Sequence, residues 1–188
     1  MSSELMLVLT YTPREDSESR GYNPWLREID MPFFNSVNNI KHYSNWKLVP
    51  QDNLTAPWTH LDFMHIGKGV SPEEVFVQSD VAEFAAAWTR QWGRVPDAED
   101  MSDNYEIHIV QRLREGQRKR GGLIALILAP NLDSLPQSAE IWGEKEMVLG
   151  ANQLGDKFAV VSLPYIDENT INPDWGERVF ISECIAQP

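Results

Sequence analysis

Of 188 residues only one is cysteine, Cys184. An intramolecular disulfide is therefore impossible and a cysteine-based zinc site is excluded. A single thiol suits a reducing compartment, so the expected location is cytoplasmic. Positive charge is also scarce, with 16 Lys and Arg against 28 Asp and Glu and a net charge of -12. Phosphate contacts need clustered cations, so a nucleic-acid partner is not expected. The one basic run, "RLREGQRKRGG" (112–122), ends in Gly-Gly and reads as a solvated turn. Long apolar runs are missing as well. The longest, "LIALILAP" from Leu123, is far too short for a bilayer, so no membrane partner is expected. The N-terminal "MSSELMLVLTYTP" has no basic segment ahead of its apolar run, which Thr10 interrupts. It reads as a strand rather than a signal peptide. G-x-G-x-x-G, a Walker loop and G-x-S-x-G are all absent, which leaves nucleotide-dependent and serine-hydrolase chemistry without support. No organic cofactor and no metal is expected.

Apolar and aromatic residues, by contrast, are ample for a core: 42% hydrophobic and 10% aromatic. "LMLVLTYT" (5–12) is rich in strand formers and stops at Pro13. Asn23 and Pro24 then suit the N-cap and first position of a helix. Its apolar face carries Trp25, Ile29 and Phe33 at a spacing of four. Pro32 should kink or stop this helix near residues 29–31, because an interior proline loses a backbone bond and clashes with the preceding turn. Asp30 reads as the cap of the short turn that follows rather than as a catalytic carboxylate. "IKHYSNWKLVP" (40–50) and "PWTHLDFMHIG" (57–67) alternate and suggest an antiparallel hairpin. Ser71-Pro72-Glu73-Glu74 is a capping box, followed by the helical "VAEFAAAWTRQWG". "NYEIHIVQRL" (104–113) reads as a fourth strand.

Residues 1–115 thus follow the order β-α-β-β-α-β, the ferredoxin-like α+β pattern of an antiparallel sheet with helices on one face. Residues 116–188 read as a C-terminal β-α-β-β extension or partial repeat packed on the first module. Its strands are "GGLIALILAPN", "KFAVVSLPYI" and "ERVFISECIA", and its helix is "LPQSAEIWGEKEMVLGANQLG". The boundary falls in "EGQRKRGG". Trp142 and Trp175 could cover the bare face of the first sheet.

"LVLTYTP" followed by "NPWLREIDMPFFNSVNNIKHYSNWKL" resembles the dimeric α+β barrel superfamily. Trp25, Asp30 and Pro32, then Ile40 and Tyr43, approximate its helix-to-strand pattern, with one extra residue after the tryptophan. Members include EthD-like, antibiotic-biosynthesis-monooxygenase-like and REDY-like proteins. The resemblance covers roughly residues 5–113. It implies a homodimer in which two sheets meet face to face, and a pocket between sheet and helices for a small hydrophobic or aromatic molecule. Where some members place a histidine, this chain has Asp30.

The hairpin supplies the expected chemistry. Alternation puts His42, Ser44 and Trp46 on one face of the second strand, and Trp58, His60, Asp62 and Met64 on one face of the third. A hairpin closing near 51–56 places His60 opposite Trp46, Asp62 opposite Ser44, and Met64 opposite His42. His60 is then the expected base and His42 the second, with Asp62 orienting an imidazole. Trp46, Trp58, Met64, Ser44 and Tyr11 are the expected substrate contacts. His42, His60 and Asp62 could also make a 2-His-1-carboxylate set, but no helical histidine spacing supports a metal. His65 belongs on the opposite face with Leu61 and Phe63. The implied activity is cofactor-independent oxygenation, cyclisation or isomerisation. The alternative is a non-catalytic ligand-binding or dimerisation module.

Overall fold

The computed structural model describes residues 4–52, 54–98, 101–116, 123–150, 154, 157–163 and 171–188. Eight antiparallel strands close into one barrel in the order β1-β3-β2-β8-β5-β7-β6-β4. The strands are β1 (Leu5–Tyr11), β2 (Ile40–Leu48), β3 (His60–Ile66), β4 (Tyr105–Arg114), β5 (Leu123–Leu128), β6 (Glu140–Leu149), β7 (Phe158–Ser162) and β8 (Arg178–Ala186). The expected open ferredoxin-like α+β sheet is therefore corrected to a closed β-barrel. The face-to-face packing of two sheets from two subunits is not needed to cover this sheet. The face that a second subunit would have covered is covered by the chain's own β5–β8. Closure is made by β2 against β8 (Trp46↔Cys184) and by β4 against β6 (His108↔Met147).

The helix expected in the C-terminal part is corrected to strand β6. "EIWGEKEMVL" holds Glu, Lys, Met and Leu, all good helix formers, and was expected inside a helix. In the barrel, ladders to β4 and β7 override that local preference. Of the basic run, residues 117–122 lie outside the described residues, as does most of the proposed boundary.

Alternation explains the core. One face of each strand points into the barrel, where Met6, Val8, Trp46, Phe63, Trp142, Phe158 and Phe180 fill the interior. Trp142 thus lies against the first half's inner face, while Trp175 packs outside the barrel with Ile127 and Val179. The outer face of β1–β4 buries Leu7, Tyr43, Met64, Ile107 and Ile109 beneath helices.

Those helices are α1 (Tyr22–Trp25), α2 (Met31–Ser36), α3 (Pro72–Phe76) and α4 (Ser79–Trp92). The α3 start carries the expected capping box: Glu74 N donates to Ser71 Oγ at 3.3 Å, and Ser71 N donates to Glu74 Oε2 at 2.9 Å. Between α1 and α2 the chain neither kinks away nor stops. A π-helical turn, Leu26–Asp30, joins them, with helical dihedrals at Trp25, Leu26, Asp30 and Met31. The wider turn accommodates the proline and turns Asp30 inward.

Candidate active site

Asp30 is 2% exposed, and its side chain makes no capping bond to α2. The expected cap is instead one of two buried carboxyls under the helices. The other is Asp62 on β3, 5% exposed. The register of β2 on β3 brings them together. Tyr43 lies opposite Met64, Asn45 opposite Asp62, and Lys47 opposite His60. This is one residue away from the expected register, and the period of two sends every side chain of β2 to the other face. A bulge between Ile40 and His42 accompanies the shift.

The candidate residues divide accordingly. Tyr11, Asp62 and Met64 line one pocket on the helix-covered face. His60 shares their strand face but sits beside the pocket, 5.5 Å from the rings of Tyr11 and Tyr22. His42, Ser44 and Trp46 belong to the barrel-interior side. His42 lies 5.6 Å from the His65 ring, Trp46 Nε1 donates to Ser44 Oγ at 2.9 Å, and Trp46 packs on Phe63. Trp58 lies before β3 and packs inside the barrel on Phe180. The expected pairing of His60 with His42 across one surface is not assembled, and neither is the 2-His-1-carboxylate set.

In its place stands a carboxyl pair bridged by a phenol and an amide. Tyr43 Oη lies 2.9 Å from Asp30 Oδ2 and 2.8 Å from Asp62 Oδ2. Asn45 Nδ2 donates to Asp30 Oδ2 at 2.8 Å and to Asp62 Oδ1 at 2.9 Å. Tyr11 Oη donates to Asp62 Oδ1 at 3.2 Å, Tyr22 Oη to Tyr11 Oη at 3.2 Å, and Trp88 Nε1 to Tyr22 Oη at 3.0 Å. A phenol carries one proton, yet Tyr43 Oη makes two contacts to carboxyl oxygens. A proton shared between Asp30 and Asp62 would satisfy both contacts, and burying two close carboxyls favours such sharing over ionising both.

The electrostatics agree. Burial pushes Asp30 up to about 7, against the opposing hydrogen bonds from Asn45 and Tyr43. Burial and then the charge of Asp30 hold Asp62 well above the ordinary carboxylate range. Tyr11, Tyr22 and Tyr43 are raised chiefly by burial and stay phenolic. His60 moves the other way, down to about 4, because burial and then Lys47 oppose its charge, with Glu18 partly offsetting them. A neutral, weakly basic imidazole whose Nδ1 faces Thr59 Oγ1 at 2.9 Å is a poor proton acceptor at neutral pH.

The pocket itself has about 520 Å³ of empty space, counting its mouth. Apart from the carboxyls and phenols its wall is apolar, with Phe34, Phe76, Phe84 and Trp88 among its lining residues. Neither Lys nor Arg is among the described residues that line it. Among the described residues, no group of three His, Cys, Asp or Glu side chains is placed to hold a metal.

No protein-family model matches this sequence, and comparison with curated proteins finds no relative. The resemblance to EthD-like and monooxygenase-like proteins therefore gains no support, and the closed barrel speaks against it.

Proposed function

We propose that the chain is a proton-transfer enzyme for a small, largely apolar or aromatic molecule, of the isomerase or cyclase type. The observation that carries this reading is the Tyr43 hydroxyl held between Asp30 and Asp62 at the wall of an aromatic pocket. One carboxyl of such a pair is ionised and can take a proton from carbon. The other is protonated and can donate to the oxygen or carbon where charge develops. Tyr43 and Asn45 keep both oxygens in place during the exchange, and the apolar wall strengthens the interaction by excluding water. Phe34, Phe84 and Trp88 in the wall supply apolar aromatic contact for such a substrate. His60, the base expected from the sequence, has no part in this reading.

The test is exchange rather than product formation. Small aromatic ketones and enols are screened for binding by ligand-observed NMR, and binders are incubated with the protein in D2O. Deuterium should enter at an acidic carbon of a bound compound. Asp62→Asn should slow entry at least a hundredfold while binding persists. Binding in this pocket without exchange would favour the non-catalytic ligand-binding alternative.

A further inference from the structure

A second recess opens at the barrel end where β1 finishes and β4 begins, with about 390 Å³ of space counting its mouth. Its wall is mainly polar. Thr10 and Trp58 line it and are 2% and 1% exposed. Neither Thr10 Oγ1 nor Trp58 Nε1 has a hydrogen-bond partner among the described residues. Buried polar groups are nearly always satisfied, so two that are not, on residues lining one recess, point to an occupant that meets both. The indole N–H can only donate, and the hydroxyl can donate and accept.

The rest of the wall narrows the occupant. Arg94 offers donors, whereas Asp103 and Glu106 offer acceptors. Glu106 is anchored by His108 Nε2 at 2.6 Å. An anion would meet the two carboxylates, and a cation would meet Arg94. A neutral ligand whose hydroxyls both donate and accept suits every group, and its C–H edges suit the rings of Trp58 and Tyr105. The rim is also built rather than incidental. Asn104 Oδ1 accepts from Val95 N, and its Nδ2 donates to Val95 O, each at 2.9 Å. A Cβ on Gly93 would lie 2.8 Å from Asn104 Oδ1, so a side chain there would displace this clamp. We propose that this recess binds a small polyol of about glycerol's size through a hydroxyl that accepts from Trp58 Nε1–H and bonds Thr10 Oγ1. Tyr11 and Tyr105 belong to both recesses, but this site does not depend on chemistry in the first.

The experiment follows indole N–H signals of the full chain by ¹⁵N–¹H NMR, with the Trp58 signal assigned on the wild type by triple resonance. Glycerol, xylitol and glucose are titrated, with acetate and ethylammonium as charged comparators. At least one polyol should shift the Trp58 signal saturably. Thr10→Val should weaken that polyol about fivefold, and Asp103→Asn, on the exposed rim, should weaken it by a smaller factor. Three results overturn the proposal: no polyol moves the signal, which leaves ordered water only; a charged comparator moves it and polyols do not; or both variants bind the polyol as the wild type does.

Discussion

At the scale of single residues, the buried carboxyls dominate both chemistry and stability. An unfolded Asp30 releases its proton near 3.8 and the folded one near 7. Between those values the folded chain binds more protons than the unfolded one, so this group's contribution to stability is lost as pH rises. His60 has the opposite sign. Its folded value near 4 lies below the ordinary 6.5, so its contribution is lost as pH falls through that window. The advantage of Asp30→Asn over wild type should grow by roughly 2 kcal/mol from pH 5 to pH 8, read by urea unfolding at each pH. A constant difference would mean that Asp30 is ionised throughout. Tyr43→Phe should act in the other direction. It leaves two buried carboxyls without their shared hydroxyl and should cost about 2 kcal/mol at pH 7 by the same measurement.

At the scale of elements, the capping box on α3 makes a local prediction. Ser71→Ala should cost about 1 kcal/mol. It should also weaken ligands of the aromatic pocket, because α3 carries Phe76 into its wall. Thermal shift with and without a bound compound reads both effects. The elements also mark what the sequence made legible. β1, β2, β3, β4 and the α3 start are visible because alternation and capping are local signals. Register is not local. A bulge lies between Ile40 and His42, and the tight pairing of Gln51 with Leu54 stands apart from the β2–β3 ladder and does not fix it, so a slip of one residue exchanged His42, Ser44 and Trp46 for Tyr43 and Asn45. Asp30 was visible as a residue but not as a site. Its partners lie on a neighbouring strand, and the π-turn that aims it inward has no sequence signature beyond Pro32. A readable hint was present: Tyr43 and Asn45 alternate onto one face of β2, as Asp62 and Met64 do on β3.

At the scale of the whole molecule, closure within one chain makes its own prediction. The inner face of β1–β4 is already occupied by Trp142, Phe158 and Phe180, so no second subunit is needed to cover it. Sedimentation should give the mass of one 21.5 kDa chain. Truncation after Glu177 removes β8, which separates β2 from β5 and opens the barrel on both sides of the gap. The shortened chain should lose cooperative unfolding and its near-ultraviolet circular dichroism. Retention of both would mean that the remaining strands fold without the seam.

That seam also governs when the protein can be finished. Strand β8 is made long after its partner β2, with Asn45 pairing with Ala186. A ribosome must release all the intervening strands before the two can meet, and contacts so distant in sequence form slowly. Until then Trp46 and Phe63 stand on an open sheet beside unpaired backbone groups, a surface to which other nascent chains adhere. The same strand pairing that leaves the mature barrel without a free edge makes its synthesis the period of greatest exposure, and chaperone demand should be concentrated there.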